Sequence, residues 1–299
     1  HHESFLNHNQ EGDAERIAVL QEFMGYCFLP GSRFQKFLFL EGDGSNGKSV
    51  YCAMIRALVG PENVSAVALK NFGERFQLTG TIGKLINIDA DCEEVERASE
   101  SDLKSFTSGD AMHFDRKGLD AITAVPTAKL ILAANNRPRF GDRSQGLWRR
   151  MIPIPFRVTV TEQDKILGMD TAEWWERSGE LPGIFLWAII GLSRLLKNGK
   201  FTTSKLISEA LCEYQQETNP AKSFLQDHYC ESENCRIPTN EVYAEYKKWC
   251  DSNGYRPFGD RVFGKEVKRV FKTVERKQIR SEGKLVWHYV GMAISGTDF

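Results

Sequence analysis

The sequence KFLFLEGDGSNGKS occupies residues 36–49 of this 299-residue chain. Its first part, Lys36–Leu40, is a short continuous apolar run, which predicts a strand buried on both faces, as in a parallel sheet. Residues 42–49 match the pattern G-x-x-x-x-G-K-[ST] without deviation, and an apolar-periodic helix is predicted over Lys48–Val59. Glycines let backbone N–H groups approach phosphate oxygens, and a helix N-terminus favours an anion. The order strand, loop, helix therefore predicts a phosphate-binding loop.

The residues of this loop have separable roles. We expect Lys48 to reach the β- and γ-phosphates of a nucleotide and the Ser49 hydroxyl to ligate Mg²⁺. The cofactors predicted from the loop are therefore ATP and Mg²⁺. The predicted ATP-binding residues are Gly42, Gly44, Ser45, Asn46, Gly47, Lys48 and Ser49.

Further short apolar runs follow the loop and alternate with helical segments. Three are clear and a fourth is weaker: Leu85–Ile88, Leu130–Ala133 and Met151–Ile154, with Val64–Leu69 as the weaker run. Short buried strands that alternate with helices indicate an α/β fold with helices on both faces of a parallel sheet. The prolines in the last run predict an edge or irregular position.

Composition narrows the class of protein. The chain has 39 Lys and Arg against 40 Asp and Glu, a net charge of -1, so an argument for nucleic-acid binding must be local. The longest apolar run, Gly183–Leu192, is about half the ~20 residues that span a bilayer, and no membrane partner is expected. Seven cysteines without regular spacing predict a reducing compartment, hence a cytoplasmic location. The first dozen residues are polar and are expected to fray.

Acidic residues follow the second clear strand. The order is Asp89, Ala90, Asp91, Cys92, Glu93. Successive strand residues face opposite ways, so Asp89 and Asp91 are expected to share a face and one or both to point at the phosphate site. A P-loop ATPase needs a carboxylate there for Mg²⁺ and for the attacking water. Asp89 and Asp91 are therefore candidate metal ligands, and Glu93 is a candidate catalytic base.

Five motifs in the same order and at similar spacing resemble those of superfamily 3 helicases, specifically the helicase half of phage, plasmid and poxvirus primase–helicases. They are Gly42–Ser49, Lys84–Asp91, Thr107–Asp110 with Asp115–Lys117, Lys129–Asn135 with Asn136–Pro138, and Gly146–Arg150 with Ile154–Phe156. Leu20–Cys27 is similar to the helix that precedes the first strand in that family. The resemblance implies an AAA+-like ATPase that assembles as a ring, usually a hexamer, and translocates on DNA.

The resemblance also implies roles for single residues. Its register places the key acid at Asp91, although Asn87 and Asp89 interrupt the hydrophobic run, so Asp89 stays a candidate. Asn135 corresponds to the sensor, which contacts the attacking water and a γ-phosphate oxygen. Either Arg149 or Arg150 corresponds to the arginine finger.

Adjacent side chains diverge, so one finger and one structural arginine are expected, and register with Phe156 favours Arg150 as the finger. The predicted catalytic residues are Lys48, Asp91, Glu93, Asn135, Arg150 and Arg149.

A polar segment before the third clear strand predicts a DNA contact. Lys117-Gly118 reads as a hairpin turn that carries a cation to the DNA backbone in the ring pore, with His113 and Arg116 as helpers. An ordinary solvated turn is the alternative.

Four regions are predicted along the chain: an N-terminal helical segment (1–34), the ATPase core (35–160), a helical linker or lid (161–221) and a winged-helix-like domain (222–299). The last contains predicted helices Thr239–Asn253 and Asp260–Thr273, then a hairpin that turns at residues 282–284. The second helix is basic, and Lys268 and Arg269 are candidate DNA contacts. A merely solvated helix face is the alternative.

The leading hypothesis is an ATP-driven, Mg²⁺-dependent DNA helicase, the motor of a mobile element's replication protein. Its expected partners are single-stranded and forked DNA and further copies of the chain. A priming or polymerising domain would lie upstream of His1. Two other functions compete: a replication initiator or loader that uses ATP only to assemble, and a P-loop nucleotide kinase.

Overall fold

A computed structural model describes residues 1–92, 97–138, 140, 145–281 and 284–295 of the chain. The structure divides into two compact units, His1–Cys212 and Glu213–Phe299. The second compact unit contains all of the region 222–299 that is predicted as a separate domain, and it starts nine residues earlier in the chain.

The described N-terminal unit alternates helices and strands. Its helices are α1 His2–Asn9, α2 Ala14–Tyr26, α3 Lys48–Val59, α4 Arg97–Ser108, α5 Gln145–Trp148, α6 Ala172–Ser178 and α7 Leu181–Asn198. Its strands are β1 Phe37–Glu41, β2 Val64–Ser65, β3 Ile86–Asp89, β4 Met112–Arg116, β5 Leu119–Ala124, β6 Lys129–Ala134 and β7 Met151–Pro155. Helix α8, Lys205–Thr218, crosses from this unit into the next.

Five strands form one parallel sheet in the order β2-β3-β6-β1-β7. This confirms the predicted α/β fold with a parallel central sheet. The side chains of β3, β6 and β7 are all buried, which explains their continuous apolar sequences. Strand β7 lies at the edge, where Pro153 and Pro155 need no N–H for a further neighbour, as predicted. The carboxyl ends of β3, β6 and β1 are adjacent, so the segments that follow them meet at one edge of the sheet.

Helices α2 and α7 touch backbone to backbone. A Cβ atom at Gly25 would lie 2.3 Å from the Ala188 carbonyl oxygen, and one at Gly191 would lie 2.6 Å from that of Gln21. Only glycine allows this approach. Both helices contribute buried side chains to the main core cluster, among them Leu20 of α2 and Ile184 of α7.

The chain's first residues do not fray, contrary to the expectation from their polarity. Residues 2–9 form helix α1 because Leu6, 1% exposed, packs into the main core cluster. Asn9 and Gln10 are buried with it, at 2% and 0% exposure. Leu6, together with the partly buried Phe5, thus joins to the core a helix that the composition alone argues against.

The C-terminal unit has its own core and sheet. Its elements are α9 Pro220–His228, β8 Tyr229–Pro238, α10 Thr239–Ser252, α11 Asp260–Val270, β9 Glu275–Ser281 and β10 Lys284–Ile294. The strands form an antiparallel sheet in the order β8-β10-β9. This order of helices and strands is typical of winged-helix modules. Two residues of the predicted hairpin turn, 282 and 283, lie outside the described residues.

Across the described ranges, no single helix is long and apolar enough to span a membrane, although the pair α6 and α7, bent by 102°, passes that test together.

Candidate functional site: the P-loop cleft

Residues 42–49, the P-loop, fold tightly between β1 and α3. A Cβ atom at Gly42 would lie 2.1 Å from Asn46 Nδ2 and 2.3 Å from the Phe156 carbonyl oxygen, so the loop requires glycine there. Asn46 Nδ2 donates to that same carbonyl oxygen at 3.0 Å. Gly47 precedes the helix in the left-handed region, with φ +87°. The close packing at Gly42 and the hydrogen bond from Asn46 thus fix the shape of the loop.

Lys48 is the cation at the centre of the site. Its ammonium donates to the Gly42 carbonyl oxygen at 2.5 Å, to Asn46 Oδ1 at 3.1 Å and to Asn135 Oδ1 at 3.0 Å. All three acceptors are neutral. Burial lowers the pKa of Lys48, and the Asp43 carboxylate opposes that shift. An anion that entered here would meet a cation whose present partners carry no charge.

A cleft of about 770 Å³ opens beside this lysine. We call it the P-loop cleft. Ser49, Asp91 and Asn135 line it together with Lys48, so the structure brings together side chains that follow β1, β3 and β6. A hydroxyl and a carboxylate in one cleft are ligands that Mg²⁺ accepts with water in its remaining positions, so the residues present fit that ion. Glu93 lies outside the described residues.

The two candidate metal acids differ in environment, because β3 ends at Asp89 and strand alternation does not continue to Asp91. Asp89 is 7% exposed, and its Oδ2 accepts a hydrogen bond from the Leu69 N–H at 2.7 Å. Burial raises the pKa of the Asp89 carboxyl, and that hydrogen bond opposes the shift. Asp91 is exposed and lines the cleft. The expectation that both acids share a face is therefore wrong, and Asp91 is the acid placed at the site.

The polar interruption of β3 has a structural cause. Asn87 is fully buried and contacts Ser65 Oγ at 2.9 Å, the Val67 N–H at 2.8 Å and the Val67 carbonyl oxygen at 2.9 Å. Strand β2 ends at Ser65, so the weaker predicted run, 64–69, is a strand only at its start. Beyond Ser65, the hydrogen bonds of Asn87 to Val67 and of Asp89 to Leu69 replace the backbone pairing of the strand and hold this segment against β3.

Arg149 and Arg150 diverge, as expected of neighbours. Arg150 is 7% exposed, and its guanidinium donates to the Gly146 carbonyl oxygen and, at 2.5 Å, to Ser108 Oγ. Arg149 has an exposed side chain. Arg150 is thus held by two acceptors of its own unit, whereas Arg149 is exposed. The choice of an arginine finger between the two stays a prediction.

The predicted hairpin is present. Strands β4 and β5 are antiparallel, and Lys117 and Gly118 form the turn between them, with Gly118 at φ +72°. Lys117 is exposed there. His113 is also exposed, and Arg116 Nε donates to the Asp120 carbonyl oxygen at 2.7 Å. None of these side chains lines the P-loop cleft, so the hairpin lies apart from that cleft.

Both DNA-contact candidates in the C-terminal unit lie on α11. Lys268 and Arg269 are exposed, and Arg269 pairs with the buried Glu266 at 2.7 Å. Strand β9 adds exposed Arg276, whose guanidinium stacks over Trp287 at 4.8 Å. The basic segment that the sequence indicates, residues 261–280, is therefore divided between helix α11 and strand β9.

Two parts of the cleft were missed by reasoning from sequence. Helix α1 contributes Phe5 and Asn9, and the segment 164–170 contributes Ile166 and Leu167. Neither carries a motif. The only available signal was the apolar pair Ile166-Leu167 inside an otherwise polar stretch.

Comparison with known families gives two partial matches. Residues 40–150 match a family described as "Family of unknown function (DUF5906)". Residues 218–296 match the family described as "RFX DNA-binding domain". The second match covers nearly all of the C-terminal unit.

Two viral relatives match most of the chain at low identity. The protein named "Putative helicase 121R" of Invertebrate iridescent virus 3 is 24% identical over 254 residues, covering 74% of this chain and 27% of that protein. A similarly named protein, 022R of Frog virus 3, is 21% identical over 279 residues, covering 84% of this chain and 28% of that protein. The chain thus spans about a quarter of the length of these relatives. The C-terminal part is also 30% identical over 97 residues to DNA-binding protein RFX7 of Xenopus laevis, covering 32% of this chain and 7% of that protein.

Solved structures agree on the fold. Two apo structures of the C-terminal region of NrS-1 superpose with TM-scores of 0.58 and 0.56 at 14% identity, each covering 97% of this chain and 74% of that one. The chain is therefore similar over most of its length to viral proteins named as helicases, and over its C-terminal unit to a DNA-binding domain.

Proposed function

We propose that this chain is the motor of a DNA replication protein: an ATP- and Mg²⁺-dependent DNA helicase of the superfamily 3 type, which translocates on single-stranded DNA as a ring, a hexamer. The observation that carries the proposal is the contact between Lys48 and Asn135 in a cleft that Asp91 and Ser49 also line. Helicase-named relatives over most of the chain support it.

The site's residues divide the work of ATP hydrolysis. Lys48 exchanges its neutral acceptors for β- and γ-phosphate oxygens, which releases Asn135. The Asn135 amide is then free to accept from an attacking water and donate to a γ-phosphate oxygen. Ser49 and Asp91 would hold Mg²⁺, which neutralises charge that develops on the phosphates. Arg149 of one subunit would reach the γ-phosphate bound by its neighbour.

ATP hydrolysis in the presence and absence of single-stranded DNA tests this proposal against its competitors. A helicase hydrolyses ATP with water as the acceptor and is stimulated by the strand. A nucleotide kinase transfers the phosphoryl group to a small acceptor, and a loader binds ATP with negligible DNA-stimulated turnover. Either of those two results would replace the proposal.

A second activity, duplex DNA binding by the C-terminal unit, is favoured by its similarity to the RFX DNA-binding domain and by exposed Lys268 and Arg269. In the full chain, Lys268→Ala should weaken duplex binding for all sequences and reduce the salt slope by about 0.9. Lys248→Ala, an exposed lysine on α10, is the matched control. Equal effects of the two variants would count against a dedicated surface on α11.

A further inference from the structure

Helix α1 supplies residues of the P-loop cleft that the phosphate chemistry leaves without a role. Phe5, His8 and Asn9 line the cleft on one side, and the segment 164–170 lines it as well. The Val160 N–H donates to the Ser45 carbonyl oxygen at 2.8 Å, which holds the chain just before that segment beside the P-loop. Lys48 and Asn135 occupy the part of the cleft suited to phosphates.

Asn9 presents an unused hydrogen-bond acceptor. Its side chain is 2% exposed, and its Nδ2 donates to the Phe5 carbonyl oxygen at 3.1 Å. Its Oδ1 is buried and has no hydrogen-bond partner among the residues that the structure describes. Buried acceptors are almost always paired, so an unpaired one beside a cleft points to a ligand that donates. The atom lies over the P-loop, 2.7 Å from where a Cβ of Gly47 would stand.

Apolar side chains accompany this acceptor. Phe5 is partly buried and presents an aromatic ring to the cleft. Leu167 is 96% exposed and Ile166 is 44% exposed, although both line the same cleft. An aromatic ring and bare aliphatic side chains around one cleft suit a flat heterocycle.

We propose that α1 and the segment 164–170 form the nucleoside subsite of the ATP site, in which Asn9 Oδ1 accepts a hydrogen bond from the nucleoside while Phe5 and Leu167 pack on its base. The inference rests on the proposed function, because it needs the triphosphate to occupy the P-loop. The donor is either the exocyclic amine of adenine or the ribose 2′-hydroxyl. Asn9 is then the residue that makes the motor selective for its nucleotide.

Equilibrium binding of four ligands separates these possibilities: ATP, ITP, dATP and inorganic tripolyphosphate. ITP lacks the exocyclic amine, dATP lacks the 2′-hydroxyl, and tripolyphosphate lacks the nucleoside. The wild-type chain should prefer ATP over the analogue without the donor by about threefold to tenfold, as expected for one hydrogen bond. In Asn9→Ala this preference should vanish, while tripolyphosphate binds as in wild type.

Asn7→Ala is the matched control, because Asn7 is an exposed asparagine on the same helix. It should keep the wild-type preference. Leu167→Ser alters an exposed residue, so it does not endanger folding, and it should weaken ATP by about threefold or more without weakening tripolyphosphate.

Three results would overturn the inference: unchanged selectivity in Asn9→Ala, equal effects of Asn7→Ala and Asn9→Ala, or a Leu167→Ser variant that binds ATP normally. A wild-type chain that binds neither ATP nor tripolyphosphate would instead refute the proposed function itself.

Discussion

Lys117→Ala separates a helicase from a plain ATPase. Lys117 lies at the exposed turn between β4 and β5 and does not line the P-loop cleft. The substitution removes no buried contact, so the free energy of unfolding should change by less than about 0.5 kcal/mol. For the same reason basal ATP hydrolysis should stay within about twofold of wild type.

The expected loss concerns DNA. One phosphate contact on a single strand contributes about 0.7 to the slope of log affinity against log salt, which corresponds to about fivefold in affinity at roughly 0.1 M salt. Each Lys117 that contacts DNA should therefore account for a loss of that size. Unwinding should fall further than binding, because each translocation step must pull on a phosphate through this side chain. Lys117→Arg should retain part of the activity, since a point charge on a phosphate has modest geometric demands.

Titration of single-stranded DNA at several salt concentrations, together with strand displacement and basal ATPase rates, measures these effects. Lys200→Ala, an exposed lysine of the same unit, is the control for a general loss of positive charge. An alanine variant at Lys117 that unwinds forked DNA normally would refute the reasoning. Loss of basal ATPase equal to the loss of unwinding would move Lys117 to the nucleotide site or to a subunit interface.

Three further substitutions test the site and its supports. Lys48→Ala should abolish ATP turnover while circular dichroism stays that of the wild type; turnover near the wild-type rate would remove the P-loop from the mechanism. Arg149→Ala should lose hydrolysis more than nucleotide binding and should regain some hydrolysis when it is mixed with Lys48→Ala subunits; no recovery in mixed rings that form would argue against Arg149 acting in trans. Arg150→Ala should also lower the thermal midpoint, because it removes the hydrogen bond from Arg150 to Ser108 Oγ. Asn87→Ala should lower the free energy of unfolding by about 2–3 kcal/mol in denaturant titration, because it leaves buried polar groups unpaired. A change below about 0.5 kcal/mol would show that Asn87 does not hold the segment after β2 in place.

The sequence predicted β1, β3, β6 and β7 well because each of these four strands is buried on both faces over nearly its whole length and reads as a continuous apolar run. The prolines in β7, Met151–Pro155, also predicted its position at the edge of the sheet. Helix α1 could not be foreseen, because its contacts, such as those of Leu6 and Phe5 with the core, join it to residues that are distant in the sequence. Composition near a terminus contains no such information.

In the candidate site, too, some features could be predicted from the sequence and others depend on three-dimensional contacts. Motif spacing predicted that Lys48 and Asn135 belong to one site, and in the structure Lys48 Nζ lies 3.0 Å from Asn135 Oδ1. Strand periodicity failed at Asp91, because it assumes that a strand continues and β3 ends at Asp89. Register with Phe156 favoured Arg150 as the finger, but it could not show that Arg150 is buried and Arg149 exposed, since exposure depends on what packs against each guanidinium.

The most direct test of the central claim is strand displacement on a forked duplex. The wild-type chain should separate the strands only with ATP and Mg²⁺, and the rate should follow ATP hydrolysis as the nucleotide is titrated. Lys48→Ala should bind the fork and displace nothing. Displacement without ATP, or by Lys48→Ala at the wild-type rate, would contradict the account, as would DNA-stimulated hydrolysis that never separates a strand.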